Sequence, residues 1–177
     1  EGGGETGDCA WHKSARFGKR IRRRCQQAAA IVTPSQATYD EALGAGFKSD
    51  TLHHIPNGVA VSIDSVVGKT TIRQRLREIN HDLSGDPDTK IALFTGRLTH
   101  NKGLFELVSA WQSVAERIPN SQLWLVGEGP DRDRLSEKIR DLDLVGRVVM
   151  PGTFDDVEDF LAAADVFTLP SYTEGLS

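Results

Sequence analysis

The chain has 177 residues and 19.4 kDa, with 38% hydrophobic residues, 26% charged residues and a net charge of −4. That is a globular composition with enough apolar mass for a core. No unbroken apolar run is longer than Ala28 to Val32, far below the roughly 20 residues of a membrane span. Two cysteines, Cys9 and Cys25, cannot make a disulfide framework and sit in no metal-ligand spacing. Collagen, coiled coil, disulfide scaffold and membrane channel are excluded, and the reducing cytosol is the expected compartment.

Residues 1–60 hold 8 basic against 6 acidic side chains, and seven of the basic ones crowd between Lys13 and Arg24. Two readings stand for this cluster: a solvated helix face, or attraction to an anionic lipid surface. Nucleic acid is not expected, because no aromatic residues interleave with the cluster and no binding motif accompanies it. In chain order, a helix is predicted over 16–28, a strand over 29–33, and a helix over 36–43 capped by Ser35. Gly44 and Gly46 end that helix, a short strand follows over 51–55, and Pro56-Asn57-Gly58 is read as a sharp turn. His53 and His54 are neighbours on a strand, so they point to opposite faces and cannot share a metal. Residues 59–88 read as a connector between two sheets, with one basic helix around 73–79.

From Lys90 onward, short apolar runs alternate with amphipathic stretches. Strands are predicted over 91–95, 122–126, 147–150 and 166–169. Helices are predicted over 103–118, after Asp131 with Leu135, Ile139 and Leu142 on one face, and around Val157, Phe160, Leu161 and Ala164. This alternation implies βαβ crossovers and a parallel sheet.

Gly68-Lys69-Thr70 is not the end of a phosphate-binding P-loop, because Ile63 stands where its first glycine belongs. Gly127-Glu-Gly129 is not a dinucleotide fingerprint, because its third glycine falls on Arg132. Two segments carry more. Gly96-Arg97 through Lys102-Gly103 follows the first strand of the parallel sheet, at the carboxyl edge where such sheets bind ligands. There two cations and a helix start can converge on one anion, as a pyrophosphate requires. Pro170 to Ser177 follows the fourth strand onto the same edge. Its Gly175 allows close backbone approach, and Glu174 can accept hydrogen bonds from hydroxyls.

With Ile55-Pro-Asn-Gly-Val59, Gly127-Glu-Gly-Pro130 and Ala164-Asp-Val166, these segments form an ordered set. The set resembles retaining glycosyltransferase family 4, whose GT-B architecture has two Rossmann-like domains facing a cleft. The resemblance covers roughly residues 25–177. It implies an α/β fold with 1–58 as the tail of the acceptor domain, 59–88 as the connector and 89–177 as a truncated donor domain. It implies transfer of a sugar from a nucleoside-diphosphate sugar to a glycan or lipid-linked acceptor, with retention, in the cytoplasm or peripherally at the inner membrane face.

The resemblance assigns Arg97 and Lys102 to the diphosphate and Glu174 to the donor sugar, these three being the catalytic set. Gly96, Gly175, Leu176 and Ser177 join them in binding the donor, and Thr153 and Phe154 lie beside the base. No metal and no other cofactor is implied, because the cations serve the leaving group and no Asp-x-Asp pair sits at a strand end. The family's second glutamate would fall beyond Ser177, so the chain is expected to be a piece of a longer protein and inactive alone. Two alternatives remain: a non-catalytic nucleotide-sugar or phosphosugar-binding domain, and a sugar-nucleotide epimerase of similar architecture.

Overall fold

A computed structural model describes residues 16–58 and 67–172. The described residues divide into two compact units, 16–58 and 67–172.

The described part of the first unit runs α1 (Gly18–Cys25), β1 (Ile31–Thr33), α2 (Gln36–Gly44) and β2 (Leu52–His54). Strands β1 and β2 pair in parallel, with Ile31 opposite Leu52. A small core of Ala42, Ala45, Phe47 and Leu52 forms, against which Cys25, Ile31 and Tyr39 pack. Ser35 caps α2 as its sequence predicts. Its hydroxyl accepts the Thr38 N–H at 3.2 Å, and the Thr38 hydroxyl accepts the Ser35 N–H at 3.2 Å. His53 and His54 are both exposed, and Pro56-Asn57-Gly58 forms no turn. In α1, Lys19, Arg20, Arg23 and Arg24 are exposed, and only Gly18 is buried. Lys13 and Cys9 lie outside the described residues.

The second unit runs α3 (Lys69–Ile79), β3 (Lys90–Thr95), a 3₁₀ turn (His100–Lys102), α4 (Leu104–Arg117) and β4 (Ser121–Val126). It continues with α5 (Arg132–Asp141), β5 (Val148–Gly152), α6 (Glu158–Ala163) and β6 (Val166–Phe167). The four strands are parallel in the order β5-β4-β3-β6. Because side chains alternate along a strand, the sheet sorts its apolar residues onto two faces. Ala92, Phe94, Leu123 and Leu125 meet Leu104, Val108, Trp111, Leu135 and Ile139 from α4 and α5. Ile91, Leu93, Trp124 and Val126 meet Ile72, Leu76, Phe160 and Ala163 from α3 and α6. The sheet is therefore covered on both sides, which is why its strands read as unbroken apolar runs.

Within the expected connector, α3 forms, and its Ile72 and Leu76, with Leu83, belong to the core of the second unit. Two expectations change. Asp131 sits at the start of α5 but makes no capping bond, because its carboxylate takes the Arg134 guanidinium at 2.9 Å. In α6 the buried residues are Phe160 and Ala163, while Leu161 faces solvent.

The amino edge of this sheet is tied by one arginine. Arg73 is 1% exposed and donates to the carbonyls of Ala163, Asp86, Pro87 and Thr89 and to the Asp165 carboxylate at 3.0 Å. Asp165 also accepts from Lys69 at 2.6 Å and from the Ile91 N–H at 2.8 Å. Burial alone would raise the Asp165 carboxyl, but the Lys69 and Ile91 bonds and the charges of Arg73 and Lys69 outweigh it and hold it below its usual value. A lowered carboxyl contributes stability above the ordinary carboxylate range, and that contribution is lost as pH falls through the lowered value. The stability gap between the unaltered chain and Asp165→Asn should thus be widest near neutrality and shrink in acid. Urea melts across pH giving a constant gap would show that the Asp165 charge does no such work.

Candidate functional site

Parallel sheets bind ligands beyond the carboxyl ends of their strands. Three adjacent strand ends meet there in the second unit. Thr95, Gly96 and Arg97 leave β3, Val126, Gly127 and Glu128 leave β4, and Thr153, Phe154 and Val157 follow β5. Together they line a cleft of about 370 Å³.

Backbone bonds hold the three loops in register. Gly96 N–H donates to Val126 at 2.9 Å, Leu98 N–H to Glu128 at 2.9 Å, and Gly127 N–H to Gly152 at 2.8 Å. Gly127 has a φ of +139°, and a Cβ there would lie 2.0 Å from the Gly96 carbonyl oxygen. Only glycine fits that crossing of two loops. This is the structural role of the Gly127-Glu-Gly129 segment that failed as a fingerprint.

The cleft carries three chemistries side by side. Arg97 is exposed on the β3 loop and supplies positive charge. Glu128 on the β4 loop supplies negative charge, with its Oε1 3.0 Å from Arg132 Nη1. Phe154 on the β5 loop supplies an aromatic wall, its ring 4.7 Å from Phe160, which in turn meets Trp124 edge-on at 6.0 Å. The chain of rings fixes Phe154 from below.

Of the residues expected to bind a donor, Gly96, Arg97, Thr153 and Phe154 line this one cleft. Lys102 does not line it. It sits half-buried in the 3₁₀ turn, which packs against the segment after β6. There Gly103 has a φ of +65°, and a Cβ would lie 2.2 Å from the Pro170 carbonyl oxygen. Tyr172 N–H donates to Asn101 at 2.9 Å, and the Tyr172 ring lies 5.9 Å from His100. The Tyr172 hydroxyl hydrogen-bonds the Glu106 carboxylate, holding Glu106 below its usual value and Tyr172 above its own. Glu174, Gly175, Leu176 and Ser177 lie outside the described residues.

Sequence reasoning did not pick out Thr95, Val126, Glu128 or Val157. Their common signal is position at the carboxyl end of a strand, or just beyond it, in a parallel sheet. Among the described residues, no group of three or more His, Cys, Asp or Glu could hold a metal ion. No helix among them is long and apolar enough to cross a membrane.

A family model described as glycosyl transferases group 1 matches residues 77–177. The chain is 32% identical over 170 residues to the putative teichuronic acid biosynthesis glycosyltransferase TuaC of Bacillus subtilis, covering 93% of this chain and 38% of that protein. It is 39% identical over 89 residues to the lipopolysaccharide core biosynthesis glycosyltransferase LpsE of Rhizobium meliloti, covering 50% of this chain and 25% of that protein. The chain thus spans well under half the length of these relatives. Among solved structures, Anabaena HepE in complex with UDP and glucose superimposes with a TM-score of 0.70 at 21% identity, over 91% of this chain and 43% of that one. WaaG, a glycosyltransferase involved in lipopolysaccharide biosynthesis, gives 0.66 at 18% identity, over 94% and 48%. The likeness is one of fold: a GT-B type, Rossmann-like α/β arrangement with parallel sheets.

Proposed function

The chain belongs to the glycosyl transferases group 1, and from that premise we propose that it is part of an enzyme of the retaining family 4 type. The enzyme moves a hexosyl unit from a nucleoside-diphosphate sugar to a glycan or lipid-linked acceptor. The observation that carries this reading is the meeting of Arg97 and Phe154 in one strand-end cleft. A nucleoside diphosphate offers an anion and a flat base, and the cleft offers a partner for each. HepE, solved with UDP and glucose, supports the same donor class for this fold.

In this reading residues 67–172 belong to the donor domain and 1–58 to the tail of the acceptor domain. Arg97 binds the diphosphate and, with Lys102, steadies the charge that develops on it as the glycosidic bond breaks. Gly96, Gly175, Leu176 and Ser177 approach the sugar and phosphates through their backbone, and Thr153 and Phe154 flank the base. Glu174 contacts the donor sugar, where a carboxylate favours positive character at the anomeric carbon. No divalent metal is required, because two cations do the electrostatic work a metal would do.

The test is donor turnover by the whole enzyme across UDP-, GDP- and ADP-sugars, with the anomer of the product read by NMR. One sugar nucleotide should be consumed with its anomeric configuration kept. Turnover should survive EDTA, and Glu174→Gln should lower kcat by about 10²-fold. Inversion of configuration, or activity abolished by EDTA and restored only by metal, would overturn the reading.

The exposed arginines of α1 suit a peripheral, cytoplasmic station on an anionic membrane, each basic residue near the surface adding about 1 kcal/mol. Co-sedimentation with phosphatidylserine vesicles at low salt should fall when Arg20, Arg22, Arg23 and Arg24 become Glu. Equal sedimentation of both forms would return the cluster to an ordinary solvated helix face.

A further inference from the structure

The loops after β3, β4 and β5 are tied to one another by backbone bonds, but the turn that carries Lys102 is fastened from the other side. Strand β6 is the second neighbour of β3 in the sheet, and the segment leaving it packs on the 3₁₀ turn His100–Lys102. Tyr172 in that segment holds the turn at three points. Its N–H donates to the Asn101 carbonyl at 2.9 Å, and its ring lies 5.9 Å from His100. Its hydroxyl hydrogen-bonds the Glu106 carboxylate in the first turn of α4, a charge-assisted bond. Asn101 and Glu106 stand on either side of Lys102 and Gly103 in the chain, so the latch brackets the lysine. It fills no core, since Tyr172 is 59% exposed and Glu106 is exposed. An exposed contact of this kind adds little to stability, but it takes freedom from the turn.

We propose that Tyr172 and Glu106 are positioning residues that set the Lys102 turn for the phosphates of the donor. This rests on the donor-binding reading above, which gives Lys102 a share of the diphosphate. Lys102 lies outside the cleft lined by Arg97, so a joint hold on one anion depends on where its turn sits. A lysine is a point charge on a flexible stem, and the freedom of stem and turn must be given up when the anion binds. A turn already fixed leaves only the stem to be ordered, which strengthens binding without a new contact. The backbones enforce the same setting. A Cβ on Gly103 would lie 2.2 Å from the Pro170 carbonyl oxygen, so the turn and the segment after β6 move together. The Tyr172 N–H and ring survive loss of its hydroxyl, which makes the hydroxyl–carboxylate bond separable by substitution.

The experiment is calorimetric titration of UDP, GDP and ADP into the chain, followed by a double-mutant cycle with the tightest binder. Lys102→Ala alone should weaken binding by about 10-fold, as for a hydrogen bond to a charged group. Tyr172→Phe should weaken it by about 3- to 10-fold and leave the urea midpoint unchanged. The double variant should bind like Lys102→Ala alone, because the latch acts only through the lysine. Glu106→Ala should match Tyr172→Phe, and Glu106→Gln, which still offers an acceptor oxygen, should recover part of the loss. Full additivity of the Lys102 and Tyr172 losses, or Tyr172→Phe binding as the unaltered chain does, would overturn the latch and leave the donor reading intact. So would a Tyr172→Phe variant whose binding falls only in step with its urea midpoint. Lys102→Ala binding as tightly as the unaltered chain would overturn the lysine's share of the diphosphate, and the latch with it. If no nucleoside diphosphate binds the unaltered chain, the donor-cleft reading itself falls and takes the latch with it.

Discussion

Replacing Arg73 with Ala should destabilise the second unit by about 3–5 kcal/mol, a large share of the 5–15 kcal/mol of an ordinary domain. The guanidinium is 1% exposed, and its loss strips the donor from four backbone carbonyls and leaves Asp165 with Lys69 and the Ile91 N–H alone. The bonds to Ala163 and Thr89 are buried, and a buried carbonyl that loses its partner cannot turn to water. Arg73→Lys keeps the charge but not the planar fork of donors, so it should recover only part of the loss. Urea unfolding of both variants measures this. A loss below about 1 kcal/mol for Arg73→Ala would show that water takes over the network and that α3 is held by Ile72 and Leu76 alone.

Gly127→Ala should damage stability and the cleft together. The new Cβ must clear the Gly96 carbonyl oxygen from 2.0 Å, at a φ of +139° that side chains avoid. Strain and overpacking of about 1–3 kcal/mol each follow. Relief requires moving the Gly96-Arg97 loop or the Gly127 loop against it, because all three contacting atoms are backbone. Nucleotide binding should therefore fall further than unfolding explains. A variant that melts normally and binds normally would mean that the two loops are not in rigid register.

The sheet from Lys90 to Phe167 was legible because its strands are buried on both faces and its helices keep a clear apolar stripe. Helix α3 was harder to read. Ile72 and Leu76 are its only buried apolar residues, and its most buried cation looks in sequence like one more charge in a basic stretch. Burial of Arg73 depends on Asp165, 92 residues on, and no local pattern encodes that. Arg97 could be named as a candidate from its strand end, and Thr153 and Phe154 only from the family resemblance. Glu128 could not, because its place follows from which strands lie side by side, and strand order is a property of the sheet. Asp131 shows the reverse error: a residue suited to capping finds Arg134 a better partner.

In the proposed function, the cleft at Arg97 binds the diphosphate of a nucleotide. Titration of a nucleoside diphosphate and of its parent nucleoside, into the chain and into Arg97→Ala, tests it most directly. The diphosphate should bind the unaltered chain more tightly than the nucleoside, and Arg97→Ala should erase about 10- to 100-fold of that advantage while leaving the nucleoside unaffected. Equal binding of diphosphate and nucleoside, or an Arg97→Ala variant as tight as the unaltered chain, would contradict it.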